Sequence, residues 1–322
     1  MTLVTAPTLP SAPLDPAFAG FLAQAAAQGQ PPLETLPLDV ARQVYRDINA
    51  ALSLPTPEIG EVTGRLIEGP GGPLALRIYK PAGVGAERPV LLFLHGGGWV
   101  IGDLDTHDGI CRTLCRATAA IVVAVDYRRA PEHVFPAALD DAEAALTWLA
   151  AHAGELGGDV SRLALAGDSA GGQLAATLAL RAAGSVPLRA LGLIYPAAQH
   201  YSAPSPSYLE NGEGKFLTLT AMKWFMDCYM GTSGDAREHP DFRLLGSSRL
   251  ATLPPTWLAT MGHDPLRDEG HALALEIAAA GVAVAHHHEP QAIHACLHMT
   301  ALSGCGSRVM QALAAWLRVQ QA

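Results

Sequence analysis

An apolar run that ends in a tight, serine-bearing turn constrains this sequence more than any other feature. Residues 161–166 are typical of a buried strand, Gly167-Asp168-Ser169-Ala170-Gly171 follows them, and the alanine-rich stretch 170–183 is typical of a helix. A serine on such a sharp strand-to-helix turn adopts a strained backbone, and only small residues at 167 and 171 let the two elements approach closely. The hydroxyl of Ser169 is therefore expected to stand exposed above a sheet.

A glycine-rich turn of purely structural use is the alternative interpretation, because the pentapeptide also occurs by chance. The strand before it and the helix after it favour a nucleophilic serine. The same turn would direct the amide of Ala170 and the positive end of a helix toward a reacting carbon, where negative charge develops on a substrate oxygen.

Apolar runs and helical patterns alternate along most of the chain. The eight candidate strands cover residues 61–68, 74–80, 89–94, 120–126, 161–166, 188–195, 255–261 and 282–289. Helical patterns lie between the later strands, at 136–152, 170–183 and 267–280. Continuous apolar runs suit strands that are covered on both faces. The sequence therefore predicts an α/β fold with a mostly parallel eight-stranded sheet flanked by helices.

Two segments fall outside this alternation and are expected to form a helical cap. The first, residues 1–55, holds a loose Pro- and Thr-rich tail over 1–13 and helices at about 16–28 and 38–52. The second, 197–245, follows a core strand, has no strand pattern and contains a candidate helix at 218–230. Residues 56–196 and 246–322 would then form the two parts of the catalytic core, with the insertion lying over the sheet as a lid.

Composition and charge exclude several classes of protein. The chain is 49% hydrophobic and 16% charged, enough apolar material for a large buried sheet, and its net charge of −9 argues against a nucleic-acid partner. Its five cysteines, at 111, 115, 228, 296 and 305, show no pairing typical of a disulfide framework or a zinc site. The first residues lack the pattern of a secretory signal, and no run reaches the ~18 apolar residues of a membrane span. A cytoplasmic protein without membrane insertion is expected.

A second glycine-rich motif follows the candidate strand 89–94. Three consecutive glycines in His95-Gly96-Gly97-Gly98-Trp99 let backbone amides turn toward a ligand without interference from a Cβ atom. Such amides suit an oxyanion hole, where each donor is worth about 3 to 4 kcal/mol in the transition state. A phosphate-binding loop is the alternative, but the Gly-Lys-Ser/Thr ending is absent. We expect His95 to brace the loop through backbone hydrogen bonds.

An acid and a base are expected from the later part of the chain. Asp264 directly follows a candidate strand, at the sheet edge where α/β folds bind ligands, whereas Asp268 would serve the dipole of the next helix. His294 follows the last candidate strand and gives the chain order Ser, Asp, His. Its rival His298 would lie near the start of the final helix, as a neighbour of the site or on the surface.

Other reactive side chains receive no role. His286, His287 and His288 cannot converge on one metal ion from a strand, because successive side chains point to opposite faces, and a solvated strand end is expected for them. Cys296 and Cys305 are interpreted as packed or idle thiols.

At these motifs the chain resembles the hormone-sensitive-lipase-like family of bacterial esterases, whose members carry His-Gly-Gly-Gly and Gly-Asp-Ser-Ala-Gly. The resemblance extends over about 60 to 320 and includes 126–133, 135–141, 262–270 and Ile293-His294. It implies an α/β-hydrolase fold and a serine carboxylic-ester hydrolase for esters of short to medium acyl chain. It also implies Ser169, His294 and Asp264 as catalytic triad and the amides of Gly97, Gly98 and Ala170 as oxyanion donors, without a metal or an organic cofactor. Here Ala295-Cys296 replaces the Gly-Phe that often follows the base.

Several functions could use the same residues. An amidase, a deacetylase or an acyltransferase would differ only in the leaving group or the acceptor. A ligand-binding receptor of similar architecture is a further alternative, although such receptors lose part of the triad. Trp99 and the cap are expected to shape the substrate pocket around a small ester, and an exposed strand at 282–289 could pair with its counterpart in a homodimer.

Overall fold

One sheet of eight strands forms the centre of the protein. The computed structural model describes residues 9–10, 12–83, 87–231 and 237–322. The sheet order is β1-β2-β4-β3-β5-β6-β7-β8. The strands are β1 Glu61–Gly69, β2 Gly72–Lys80, β3 Arg88–Leu94, β4 Ile121–Val125, β5 Gly158–Asp168, β6 Ala190–Ile194, β7 Thr256–His263 and β8 Val284–Ile293.

Only β2 runs antiparallel to its neighbours, β1 and β4, and all the other neighbouring pairs are parallel. The predicted mostly parallel sheet of eight strands is thus confirmed. Because parallel strands end at the same edge, the residues that follow β3, β5, β7 and β8 meet there. That edge carries the residues on which the prediction of function depends.

Helices cover both faces of the sheet. Their bounds are α1 Pro16–Ala27, α2 Leu38–Leu52, α3 Asp108–Thr118, α4 Ala137–Leu156, α5 Ala170–Ala182, α6 Pro206–Asn211, α7 Leu219–Met230, α8 Arg267–Ala279 and α9 Cys305–Gln320. Along β3, Val90, Leu92 and Leu94 pack with the layer of α4, α5 and α8, whereas Leu91 and Phe93 pack with that of α3 and α9. This alternation is the two-residue period of a strand buried on both faces.

The sequence did not predict α3. Its buried positions include Cys111 and Cys115, which pack as small apolar residues against the sheet. Counting these thiols as apolar gives a helical pattern with Ile110 and Leu114, so the signal was present in the chain.

The two segments predicted to form a cap contain α1 and α2, and α6 and α7, respectively. A short 3₁₀ helix at Leu33–Thr35 contacts α7, so the N-terminal segment and the insertion meet. Most of the predicted loose tail, residues 1–8 and 11, lies outside the described residues. Pro10 and Ala12 are described, and their carbonyl oxygens lie 3.1 and 2.9 Å from ring nitrogens of His288 and His263. Among the described residues, no helix has the length and apolar character needed to cross a membrane.

Candidate active site

The turn after β5 holds Ser169 in a backbone conformation that L-residues rarely adopt. Its φ is 54° and its ψ is −121°, a strain worth about 1–3 kcal/mol that the surrounding structure must sustain. A Cβ atom on Gly167 would lie 2.2 Å from the carbonyl oxygen of Gly171, and one on Gly171 would lie 2.0 Å from that of Leu94. Both glycines are therefore required for the close contact of β5, α5 and β3, as the sequence predicted.

The structure brings Ser169, His294 and Asp264 together at the carboxyl edge of the sheet. Nε2 of His294 lies 2.9 Å from Oγ of Ser169, and Nδ1 lies 2.7 Å from Oδ2 of Asp264. Asp264 is fully buried, and its other oxygen, Oδ1, accepts the amide of Leu266 at 2.8 Å. Since an ionised carboxylate only accepts hydrogen bonds, Nδ1 of His294 carries the proton and Nε2 offers its lone pair to the serine hydroxyl.

Gly97 and Gly98 shape the loop beside this serine. Their φ values are 108° and 59°. A Cβ atom on Gly97 would lie 2.3 Å from the amide nitrogen of Gly102, and one on Gly98 would lie 2.3 Å from the ring of Phe225. Among the described residues, the amides of Gly97, Gly98 and Ala170 donate no hydrogen bond to backbone or side chain outside the regular elements. Ala170 is the first residue of α5, whose first amides lack partners within the helix. These three donors are thus available to a ligand.

Asp168 links this loop to the serine turn, a role that the sequence analysis did not assign. Its Oδ1 accepts the amide of Gly96 at 2.8 Å and lies 3.1 Å from Nε2 of His107. Burial disfavours the charged carboxylate, but His107 and the Gly96 amide outweigh it and lower the pKa of Asp168 to about 2. Asp168 directly precedes Ser169 in the motif Gly167-Asp168-Ser169-Ala170-Gly171, and this position was the signal available in the sequence.

Of the two places predicted for His298, the structure shows the one beside the site and not the one on the surface. His298 belongs to a 3₁₀ helix at Cys296–His298, ahead of the final helix α9, and it is 2% exposed, so a place on the surface is wrong. Its Nε2 is 4.0 Å from Oδ2 of Asp168, behind the serine turn. Burial, with the nearby His107, lowers the pKa of His298 to about 3. It is therefore a neutral neighbour of the site, and of His294 and His298 it is His294 that contacts the hydroxyl of Ser169.

The ligand types of His107, Asp168 and His298 would suit a metal ion, and their ligand atoms lie within 4.8 Å of one another. However, the amide of Gly96 points at both Asp168 Oδ1, at 2.8 Å, and His107 Nε2, at 3.2 Å. A cation between those atoms would face the positive end of the N–H dipole. We interpret the cluster as a hydrogen-bonded support.

His95 and Asp268 have the surroundings that the sequence predicted for them. His95 bonds the carbonyl oxygen of Gly96 through Nδ1 at 2.8 Å, which confirms its predicted bracing of the loop. Asp268 lies in the first turn of α8, as predicted, and accepts the amide of Ser207 at 2.8 Å.

The histidine run does not form a solvated strand end, and this prediction is wrong. Strand β8 continues to Ile293, and all three histidines are partly buried. His286 and His288 both lie 2.9 Å from Oγ1 of Thr260, whereas His287 stacks on Trp257. Successive imidazoles point to opposite faces, as the strand period requires.

The thiols near the base are poor nucleophiles. Cys296 and Cys305 are both buried, and burial raises their pKa. This agrees with their assignment as packed side chains.

A cavity of about 600 Å³ opens onto Ser169 and His294. Its walls combine the glycine loop, the 3₁₀ helix of the N-terminal segment and the insertion. The apolar side chains that line it include Leu33, Trp99, Ile101, Phe216, Leu217, Met222, Phe225 and Met226. Trp99 also stacks on Tyr229 at a ring distance of 4.5 Å, so it both lines the cavity and packs beneath the cap.

Glu269, in the first turn of α8, is a buried carboxyl group near Asp264. It is 1% exposed and accepts the amide of Ala198 at 2.7 Å and the hydroxyl of Tyr208. Burial, reinforced by the charge of Asp264 and opposed by these hydrogen bonds, raises the pKa of Glu269 from 4.5 to about 8. The folded protein therefore holds this carboxyl protonated at neutral pH, whereas the unfolded chain ionises it.

This difference makes stability depend on pH. The stabilisation is fully present below the unfolded pKa of 4.5 and is lost as pH rises through the folded pKa of about 8. In thermal denaturation, Tm of the wild type is expected to fall more steeply across this interval than Tm of Glu269→Gln. Glu155→Gln, at an exposed position of α4, should keep the wild-type slope. Equal slopes for the wild type and Glu269→Gln would contradict the assignment.

Comparison with known proteins extends these findings. Residues 91–298 match a family described as alpha/beta hydrolase fold, and this range contains Ser169, Asp264 and His294. The esterase LipI of Mycobacterium tuberculosis is 42% identical over 262 residues, 80% of this chain and 80% of that protein. The ethyl acetate hydrolase of Pseudomonas putida is 37% identical over 262 residues, 79% of this chain and 81% of that protein. A solved thermostable esterase from Pseudomonas putida aligns with a TM-score of 0.92 at 37% identity, covering 98% of this chain and 99% of that one.

Proposed function

Because the chain belongs to the hormone-sensitive-lipase-like family of the alpha/beta hydrolase fold, whose relatives compared above are esterases, we propose that it hydrolyses carboxylic esters of short to medium acyl chain. One observation carries the proposal. Ser169 is hydrogen-bonded to His294 at 2.9 Å, and His294 to Asp264 at 2.7 Å. The serine and the histidine line an apolar cavity, beside the backbone amides of Gly97, Gly98 and Ala170.

In the proposed reaction, Oγ of Ser169 attacks the ester carbonyl carbon while Nε2 of His294 takes the hydroxyl proton. Asp264 stabilises the resulting imidazolium through Nδ1. The amides of Gly97, Gly98 and Ala170 receive the negative oxygen of the tetrahedral intermediate. The bond to the alcohol oxygen then breaks, and His294 returns the proton to the leaving alcohol.

Hydrolysis of the acyl-enzyme repeats these steps with water. His294 takes a proton from the water as its oxygen attacks the acyl carbon, and the carboxylic acid leaves as Ser169 regains its proton. In both halves of the reaction His294 takes up one proton and returns it, so the proposed proton transfers need only residues of the chain.

The shape of the cavity supports small substrates. Its volume of about 600 Å³ falls among those of small-molecule sites, and the cap covers it with Leu33 from one segment and Met222, Phe225 and Met226 from the other. Apolar side chains suit an acyl chain, and the volume of the cavity limits the length of chain that fits. A cavity of this size gives little support to a lipase that acts on large triglycerides at an interface.

A series of p-nitrophenyl esters from acetate to palmitate tests the substrate class. We expect kcat/KM to be highest for the short and medium acyl chains and to fall for the longest ones, which the cavity cannot enclose. Release of p-nitrophenolate, followed in the absorbance, gives the rates, and buffer without protein is the control. A maximum at palmitate would contradict the proposed chain length.

Two of the alternatives, the amidase and the receptor, are distinguished in the same assay. A p-nitroanilide with the preferred acyl group replaces the alcohol by an amine, and faster hydrolysis of this amide would favour an amidase. A lack of turnover of every ester, with tight binding of the acid product, would favour a receptor.

The proposal also covers the cellular location and the partners of the protein. We propose a cytoplasmic location, which the unpaired state of all five cysteines supports. A small ester is the proposed partner, and a homodimer through β8, at the edge of the sheet, stays a prediction.

A further inference from the structure

Helix α6 belongs to the insertion, yet its buried side faces the core. Ser207, Tyr208 and Asn211 are 0%, 1% and 1% exposed, whereas Leu209 is 86% exposed. None of the residues of α6 lines the substrate cavity. This helix therefore does not act as a wall of the cavity, although the insertion as a whole covers it.

The buried side chains of α6 bond to the loop that carries Asp264. Nδ2 of Asn211 lies 3.3 Å from the carbonyl oxygen of Asp264 and 3.5 Å from that of Gly262. The hydroxyl of Ser207 donates to the carbonyl oxygen of Pro265. Hydrogen bonds thus reach the backbone on both sides of the acid as well as the acid residue itself.

Two further contacts extend this attachment into α8. The amide of Ser207 donates to Oδ2 of Asp268 at 2.8 Å, and the hydroxyl of Tyr208 donates to Glu269. At the exposed end, Glu210 pairs with Arg267 at 2.7 Å. Residues 262–269 are therefore held from one helix at several points.

The orientation of the Asp264 carboxylate depends on this loop. Oδ2 bonds His294, while Oδ1 accepts the amide of Leu266, so both oxygens are fixed relative to the backbone of 264–266. The group is fully buried, so water cannot replace a contact that is lost. A displacement of about 1 Å near the reacting groups can reduce a rate about a hundredfold.

From these contacts we infer that α6, through Asn211 and Ser207, positions the catalytic acid Asp264. This part of the insertion thus supports the catalytic acid from outside the substrate cavity. Asn211 is a positioning residue, because it acts on the reaction only through Asp264. The inference rests on the proposed function, since it assigns Asn211 a role in the reaction of that triad.

A double-mutant cycle tests the inference with the ester that the wild type hydrolyses fastest. Asn211→Leu removes the amide donor and keeps much of the volume. We expect it to lower kcat about tenfold or more with little change in KM, since the acid is misplaced while the cavity is intact. In the Asp264→Ala background the same substitution is expected to change kcat by less than about twofold, because the group on which it acts is already absent.

A merely structural role would give a different pattern. If Asn211 only stabilised the fold, Asn211→Leu would reduce kcat by the same factor in both backgrounds, and this result would overturn the inference. An unchanged kcat in the wild-type background would also overturn it. Leu209→Ala, at the exposed side of the same helix, is the matched control and is expected to keep the wild-type kcat.

Two measurements keep the outcomes separate. Tm of each variant shows whether it is folded, and Ser207→Ala replaces Asn211→Leu in the cycle if the latter does not fold; the same dependence on Asp264 is expected. If Asp264→Ala alone leaves kcat unchanged, the proposed triad fails, whereas an additive cycle with a strong Asp264→Ala effect refutes only the role of α6.

Discussion

Ser169→Ala is expected to lower kcat for the preferred ester by about 10⁴-fold or more, toward the residual rate that binding and oxyanion donors alone sustain. The hydroxyl lies 2.9 Å from the base, and no other nucleophile takes this position among the described residues. The nearby thiol of Cys296 is buried, and burial raises its pKa. The measurement is initial-rate kinetics with purified protein, since traces of host esterase would otherwise dominate.

Ser161→Ala provides the matched control for this substitution. Ser161 lies near the exposed start of the same strand, β5, whereas Ser169 follows its other end. The control should keep the wild-type kcat, and Tm of both variants should show a folded protein. A folded Ser169→Ala variant that keeps its ester hydrolysis would remove Ser169 from the mechanism.

His294→Ala and His298→Ala are expected to separate by at least about a hundredfold in kcat, because only the first removes the group that transfers protons. His294 contacts both Ser169 and Asp264, whereas Nε2 of His298 has no hydrogen-bond partner among the described residues. The substitution His298→Ala therefore leaves a gap near Asp168 but removes no group that transfers a proton. This variant should keep most of the wild-type kcat.

Both variants are compared by kcat, by KM and by Tm. A fall in Tm for His298→Ala is acceptable, since a buried ring is lost. The opposite order of kcat values would reassign the base to His298 and would require a different arrangement of the loop after β8.

The strands and the serine turn could be predicted because their signals are local. All five positions of β4 are buried, and the continuous apolar run Ile121–Val125 shows this directly in the sequence. The turn at Ser169 is similar, since the glycines at 167 and 171 are required by contacts of the turn with its adjacent strands. Asp264 and His294 each follow a predicted strand. Because parallel strands end at the same edge of the sheet, the sequence also predicted that these two residues lie at that edge.

The support of the site could not be predicted in the same way. Asn211 and Asp264 are 53 residues apart, and nothing in the pattern of the insertion indicates which loop its polar side chains will reach. The burial of His298 similarly depends on Tyr45 of α2 and on His107, next to α3. Periodicity shows which side of an element is buried, but not what covers it.

The histidine run shows that irregular pairing between two strands is not visible in the sequence. The pairing of β7 with β8 shifts between Met261 and His263, and β8 extends to Ile293 beyond the apolar run. No local pattern indicates such an irregularity. The strand predicted at 282–289 therefore overlaps β8, Val284–Ile293, but ends too early, and the histidines lie within the strand.

Covalent labelling tests the central claim most directly. In reaction with diethyl p-nitrophenyl phosphate, Oγ of Ser169 would form a bond to phosphorus and p-nitrophenolate would leave, with His294 taking the hydroxyl proton. We expect one equivalent of p-nitrophenolate per chain, one diethylphosphoryl group located by mass spectrometry on the peptide that contains Ser169, and loss of ester hydrolysis in proportion to labelling. Full hydrolysis by a chain labelled completely at Ser169, or inactivation with the label on another residue, would contradict the account.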